Sequence, residues 1–306
     1  MRVLVTGAGG FIGTELTRQL IARGHTVDGL SHSDAGAVRI AAAGGSVVRG
    51  YITDSRAVTR GAEGADAVVH LALLTVTSPP SERERVNIGG TRILLEALRG
   101  RDLHAFVSAS GAIGIYRHAP GAWVDESFHE DPWLPFGVNR LAVDAMVREA
   151  HRRHGLPGVI LRPGQVYGPG GAFQRFYIDL LRRRRFRVVG DGSYWSNWVH
   201  LADVAAAYVA AVEKPLIGET IIVTDDEPVP FRSFVDALCA AMGMRPPGSV
   251  PPFLAKLVVG REAIELLTTS VRLRNAKARD RLGWQPRFPS YREGLPHVVA
   301  HAVAGS

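Results

Sequence analysis

Short apolar runs alternate with longer stretches of helical period through the first half of the chain. Residues 2–6, 25–30, 46–49, 67–71, 105–110 and 159–162 are brief and rich in β-branched or aromatic positions, which predicts strands. Between them, residues 11–22 and 87–98 repeat apolar positions every three or four residues, and 146–154 closes a further helix. Strands regularly separated by helices imply parallel pairing with right-handed crossovers. The fold class expected is α/β, a Rossmann-type doubly wound parallel sheet with a smaller, discontinuous substrate-binding lobe. Residues 1–168 and 196–224 are expected to form the nucleotide-binding domain, and 169–195 with 225–306 the lobe.

The second half is more mixed. Residues 173–185, 204–212 and 231–242 predict helices and 220–223 a strand. The proline-rich stretch 246–252 predicts a loop, and the tail from His297 is expected to fray.

Composition narrows the class. The single cysteine, Cys239, excludes a disulfide framework and a cysteine-rich zinc module. No run is long and apolar enough for a membrane span, and Met1-Arg2-Val3-Leu4-Val5 leads straight into glycine-rich sequence. A cytoplasmic protein with no membrane partner is expected. The net charge of +7 raises the question of nucleic acid, but only Lys214, Lys256 and Lys277 are lysines, and the arginines are scattered apart from Arg182 to Arg185. That run closes a predicted helix, where basic groups suit the helix dipole, and no aromatic platform accompanies it. A solvated helix end is the expectation, an anionic ligand the alternative, and nucleic acid is not expected. The histidines are scattered without metal-ligand spacing, so no metal is expected.

The first strand feeds Thr6-Gly7-Ala8-Gly9-Gly10-Phe11-Ile12-Gly13. Gly7 permits a tight turn, Gly10 lets the backbone approach a pyrophosphate, and Gly13 lets the helix pack against the strand. The helix N-terminus then presents free amides to phosphate. This context between strand and helix predicts dinucleotide binding. The second strand runs into Ser31-His32-Ser33, with no acid at its end to hold a ribose 2′-hydroxyl; the nearest is Asp34. Ser31, His32 and Ser33, with Arg39, offer donors to a 2′-phosphate, so NADP(H) is expected over NAD(H).

At this point the chain resembles the extended short-chain dehydrogenase/reductases, of the nucleotide-sugar epimerase and dehydratase type. The likeness rests on the glycine motif, Val68-Val69-His70-Leu71-Ala72, Asn87-Ile88-Gly89-Gly90-Thr91 and Phe106-Val107-Ser108-Ala109-Ser110. It continues through the segment from Leu161 to Gly170, through Val199-His200-Leu201-Ala202-Asp203-Val204, and through Leu282-Gly283-Trp284-Gln285-Pro286. The resemblance implies that Phe11, Ile12, Ile52, Leu71, Ala72, Leu73, Pro163 and Val166 line the cofactor. Its chemistry uses a Ser or Thr with a Tyr and a Lys four residues apart on one helical face. Ser110 matches the first. The other two positions hold Phe136 and Arg140, so the phenol is gone and the lysine is a fixed cation. Arg140 is expected to hold ribose or phosphate. Tyr51 stands where the family usually places an Asp against adenine, and stacking or hydrogen bonding is expected there instead.

Three readings stay open. One is a reductase that takes its proton from elsewhere. The second is an epimerase or dehydratase with a displaced acid/base, and the third a non-catalytic dinucleotide-binding regulatory protein. Reduction needs one proton, and an oxyanion donor such as Ser110 carries much of the barrier. Tyr116 is a candidate acid, Tyr167 and His200 weaker ones, and a hydroxyl of the substrate a fourth source. Phe136, Phe173, Phe176, Tyr194, Trp195 and Trp198, with an aromatic insert from His118 to Pro135, suggest flat walls for a large hydrophobic ketone; ordinary core packing is the alternative. This combination resembles the atypical antibiotic-tailoring polyketide ketoreductases, a group that includes the one of the simocyclinone pathway. A monomer or homodimer is expected.

Overall fold

A computed structural model describes residues 1–117, 119–214 and 216–304. His118, where the aromatic insert begins, lies outside the described residues, as do Pro215, Gly305 and Ser306. Seven strands form one sheet: β1 (Arg2–Thr6), β2 (Thr26–Ser31), β3 (Ser46–Arg49), β4 (Ala67–His70), β5 (Ala105–Ala109), β6 (Gly158–Pro163) and β7 (Thr220–Val223). They lie in the order β3-β2-β1-β4-β5-β6-β7, and every neighbouring pair is parallel. The chain starts at the centre and winds outward both ways. The carboxyl ends of β1 and β4 therefore flank the switch point where such sheets bind ligands.

The central strands are apolar because both faces are covered. On one face, α1 (Phe11–Ala22) and α2 (Asp34–Ala42) bury Leu16, Leu20 and Ile40 beside α6 (Leu201–Glu213). On the other, α3 (Ser55–Ala62), α4 (Gly90–Ala97) and α5 (Pro135–His154) pack Val58, Leu94 and Val147 against the sheet. A third core gathers Tyr167, Phe173, Trp198, Phe231 and Phe234 beyond the sheet, with Trp198 stacked on Phe234 at 3.6 Å.

Several expectations are corrected. The helix predicted at 87–98 begins at Pro80 and contains an i→i+5 stretch, Glu84–Gly89, before α4. The loop at 246–252 holds a short strand, Ser249–Val250, paired with Val188–Val189. The tail does not fray at His297: α7 (Tyr291–Ala304) runs through it and buries Leu295 and Val298 in the third core. The arginine run outlasts its helix, which ends at Arg182.

Two of the motifs turn out to be one clasp. Asp203, on the first turn of α6, accepts from the backbone N–H groups of Arg287 (2.8 Å) and Phe288 (3.0 Å). The indole N–H of Trp284 donates to the Asp203 carbonyl at 2.9 Å. We expect Asp203→Ala to cost roughly 2–4 kcal/mol, because it leaves two amides without their acceptor. Denaturant unfolding measures this, and Asp203→Asn, which keeps one acceptor oxygen, should lose less. A loss no larger than that of an ordinary surface substitution would show that the clasp is dispensable.

Candidate active site

The glycine loop has the geometry its spacing predicts. Gly7 adopts φ +72°, and a Cβ there would lie 2.9 Å from the Ala72 nitrogen. A Cβ on Gly13 would lie 2.2 Å from the Gly7 carbonyl oxygen, so only glycine lets α1 start this close to β1. The Gly10 amide donates to Gly7 at 2.9 Å, closing the turn.

A cleft of about 390 Å³ opens beside this loop. It brings together Gly7, Gly10, Ser31, His32, Ser33, Arg39, Tyr51, Ile52, Leu71, Ala72 and Leu73, eleven of the expected cofactor residues. Gly13 is buried behind them, and Ile12 packs on the sheet core. Phe11 instead lines a second cavity of about 910 Å³, shared with Pro169 and His200. Pro163 ends β6, and Val166 pairs with Val199.

At the end of β2, the residues expected to meet adenosine contact one another. His32 stacks on Tyr51 at 4.4 Å and 18°. Ser33 caps α2, its hydroxyl accepting from the Gly36 amide at 3.1 Å, and Ser31 donates to the Ser33 carbonyl at 3.2 Å. Arg39 spends Nε on the Gly9 carbonyl at 2.7 Å. Asp34 turns outward to Arg49 at 2.7 Å. The acid nearest the end of β2 is thus already paired with a cation.

The other end rests on a buried polar network. Asn87 accepts from the Leu74 amide at 2.7 Å and donates to Asn139 at 2.7 Å. Arg140 donates Nη2 to the Leu74 carbonyl at 3.0 Å, and its Nε and Nη1 are buried without a partner. The glycine cradle and these two unspent donors fit a dinucleotide. Phe136 sits one turn earlier, with the guanidinium carbons of Arg140 and Arg83 5.1 and 5.9 Å from its ring centre. Glu262, on the helix Arg261–Leu267, pairs with the buried Arg83 at 2.6 Å and accepts from the Phe136 amide at 2.5 Å.

Ser110 has a partner that sequence reasoning missed. Its hydroxyl donates to Asp144 at 3.1 Å. Asp144 also binds Arg162 at 2.7 Å, and Arg162 reaches Glu130 at 2.6 Å and the Tyr116 hydroxyl at 2.9 Å. Burial raises the Asp144 carboxyl above its usual range, while the Arg162 cation pulls the other way. The sequence signal was present: Asp144 stands four residues beyond Arg140, on the same helical face.

The structure corrects the aromatic expectations. Tyr116 is not a loop phenol at the cleft but fully buried among Ile115, Val124 and Leu273. Phe173 and Trp198 are core residues, and Tyr194 stacks on Phe231 at 5.1 Å. Trp195 lies under Arg272 at 5.3 Å, and Phe176 is exposed. Tyr167 and His200 are also buried, with ring centres 5.3 Å apart. Among the described residues no group of three His, Cys, Asp or Glu could hold a metal, and no helix is long and apolar enough to cross a membrane.

A family model described as the NAD dependent epimerase/dehydratase family matches residues 3–223, and the chain belongs to that family. It is 30% identical to the 4-hydroxy-2-methyl-3-oxo-4-farnesyl-3,4-dihydroquinoline-1-oxide ketoreductase of Stigmatella aurantiaca, covering 100% of this chain and 98% of that protein. It is 32% identical to a 3-diazoavenalumate denitrifying reductase of a Streptomyces species, covering 96% and 99%. Among solved structures, a UDP-glucose 4-epimerase of Thermus thermophilus in complex with NAD matches with TM-score 0.85 and 26% identity over 100% of both chains.

His70 yields a pH prediction. The Thr6 hydroxyl lies 2.8 Å from Nδ1 and the Thr91 hydroxyl 3.0 Å from Nε2. Thr91 donates to the Asn87 carbonyl, so its oxygen is left to accept from Nε2–H. Burial, and next the Arg140 cation, push the His70 pKa down to about 3 from 6.5. The unfolded chain therefore binds a proton that the fold refuses. Stability is full above the unfolded value of 6.5 and falls as pH drops toward about 3. The slope approaches about 1.4 kcal/mol per pH unit from this one group. Unfolding free energies measured across that window should flatten in His70→Asn, and an unchanged slope would remove His70 from the account.

Proposed function

We propose that the protein is an NADPH-dependent ketoreductase acting on a large, hydrophobic, polyketide-like ketone. The observation that carries this is the helix face of α5. Phe136 and Arg140 occupy it where the family resemblance places a Tyr and a Lys, while Ser110 and the dinucleotide cradle are intact. Such a site keeps the means to hold a cofactor and to polarise a carbonyl. It has lost the phenol that repeated proton transfers need. The two reductase-named relatives support the same choice, one of them named for a farnesylated oxo substrate.

When bound, the reduced nicotinamide supplies hydride to a carbonyl carbon. The chain's own residues do the rest. Gly7, Gly10 and the amides of α1 receive the pyrophosphate. Arg140 offers its free Nε and Nη1 to ribose or phosphate, and Phe136 packs as an apolar wall. Ser110 turns its hydroxyl from Asp144 to the ketone oxygen. The alkoxide takes its proton from a neighbouring substrate hydroxyl or from water. His32, Arg39, Ser33 and the start of α2 receive the 2′-phosphate, the last through amide donors at a helix N-terminus.

Consumption of NADPH with polycyclic aromatic ketones tests the reading, since an epimerase shows no net consumption. Ser110→Ala should slow turnover by about 10²–10³, the usual cost of one oxyanion donor. Phe136→Tyr should bring no gain. Activity that rises sharply in Phe136→Tyr, or survives undiminished in Ser110→Ala, argues against this mechanism.

Cofactor choice has its own test. Calorimetric titration should show tighter binding of NADPH than NADH, and His32→Ala or Arg39→Ala should weaken NADPH more. Equal losses for both cofactors, or native preference for NADH, would overturn the assignment.

A further inference from the structure

The cavity of about 910 Å³ lies apart from Ser110, Phe136 and Arg140, none of which lines it. It opens against α1 and the start of α6, which cover the sheet face opposite α5, and is bordered by α7 and residues 169–175. Its size is usual for a small-molecule site.

The lining is strongly cationic. Arg18, Arg39, Arg175 and Arg287 reach it from four separate parts of the chain, against one carboxylate, Glu15, among the described lining residues. Glu15 is already spent: it pairs with Arg18 at 2.6 Å and accepts from Gln19 at 2.7 Å. Three histidines complete this wall. His200, His297 and His301 follow one another with ring centres 5.2 and 4.3 Å apart.

His200 says most about what the cavity holds. It is 1% exposed, and its Nδ1 caps α6 by accepting from the Ala202 amide at 3.1 Å. Burial, and next His297, push its pKa down to about 4, so the ring is neutral and carries its proton on Nε2. Among the described residues that Nε2 has no hydrogen-bond partner. A buried N–H without an acceptor is costly, and this one lines a cavity ringed by cations. The Nδ1 of His297 is likewise buried without a partner.

We propose that this cavity binds a small organic anion carrying more than one phosphate, held between the Nε2–H of His200 and the surrounding arginines. Guanidinium groups and a neutral N–H both suit phosphate oxygens, and cations on separate elements can serve separate phosphates. A single inorganic phosphate would fill only a small part of the volume. Gly9, Gly10 and Arg39 line this cavity and the cofactor cleft alike, so the two meet at the glycine loop. The anion is thus a neighbour of the dinucleotide and not its substitute. This site goes beyond the reductase reading and stands without it.

Calorimetric titration of the full chain tests the proposal, using fructose bisphosphate, a probe without adenine, and inorganic phosphate. The bisphosphate should bind at least about tenfold more tightly, and both should weaken with salt. His200→Asn keeps an acceptor for the Ala202 amide and removes the Nε2 donor, and should weaken the bisphosphate about tenfold. Arg18→Ala with Arg287→Ala, at exposed positions, should weaken it by at least as much. Circular dichroism checks that each variant folds, and the arginine pair decides the matter if His200→Asn does not. No binding of the bisphosphate, equal affinity for the two probes, or native affinity in folded His200→Asn overturns the proposal. Binding that the Arg18 and Arg287 changes leave untouched also overturns it, and where Arg39→Ala removes that binding the anion lies in the cofactor cleft.

Discussion

Arg162 has no exposed side-chain surface, and three separate parts of the chain converge on it. From β6 it binds Asp144 on α5, Glu130 in the segment before α5, and the Tyr116 hydroxyl. A cation this deep is tolerated only when its donors are matched, and removing one member of such a pair typically costs about 3–5 kcal/mol. The pairing sets how far α5 can slide or roll against the sheet. Ser110 is attached to the same carboxylate, so the oxyanion donor and the helix face bearing Phe136 and Arg140 share one anchor. The site is positioned by electrostatics at β6, one strand in from the sheet's edge, as much as by the glycine loop at its centre.

Phe136 is held in this frame without any need for a hydroxyl. Phe136 needs no hydrogen-bond partner for its ring, and two guanidinium groups lie against its faces or edge at 5.1 and 5.9 Å. Its backbone amide, at the start of α5, is satisfied from far along the chain by Glu262, which also neutralises the buried Arg83. One carboxylate thereby closes a helix end and a buried charge together. The segment that follows the helix Pro252–Val259 is thereby tied to Phe136.

How much of this could be read from the sequence depended on the range of the interactions. Glycine spacing reports backbone constraints within a few residues, so the Gly7–Gly13 loop and the strand and helix order were legible. The four-residue step made Phe136 and Arg140 legible as a pair, and Asp144 lay one further step along. The partners Arg83 and Glu262 are 179 residues apart, and no local pattern marks them. Aromatic residues misled for the same reason. Phe173 and Trp198 have the composition of a flat pocket wall, and Tyr116 that of a cleft phenol, but whether an aromatic faces a cleft or a core is decided by the tertiary fold. The helix at Pro252–Val259 went unread, since only the proline-rich stretch 246–252 before it was assigned, as a loop.

Arg140 is the least satisfied cation of the candidate site. It is buried, and its pKa is pushed down to about 10 by burial despite the help of Asp144, so it stays charged at neutral pH. One of its nitrogens serves the Leu74 carbonyl, and two have no partner within the fold. Unspent donors on a buried cation are costly when left alone. They are tolerable where a bound group completes them, and a planar guanidinium offers two such edges where an ammonium offers a single movable point. Under the reading proposed, the helix face has exchanged a titrating pair for a permanent cation beside an apolar wall. Such a face binds and orients but holds no transferable proton. The proton must then come from the substrate or water, and a substrate that carries its own hydroxyl beside the ketone is the one best matched to the site.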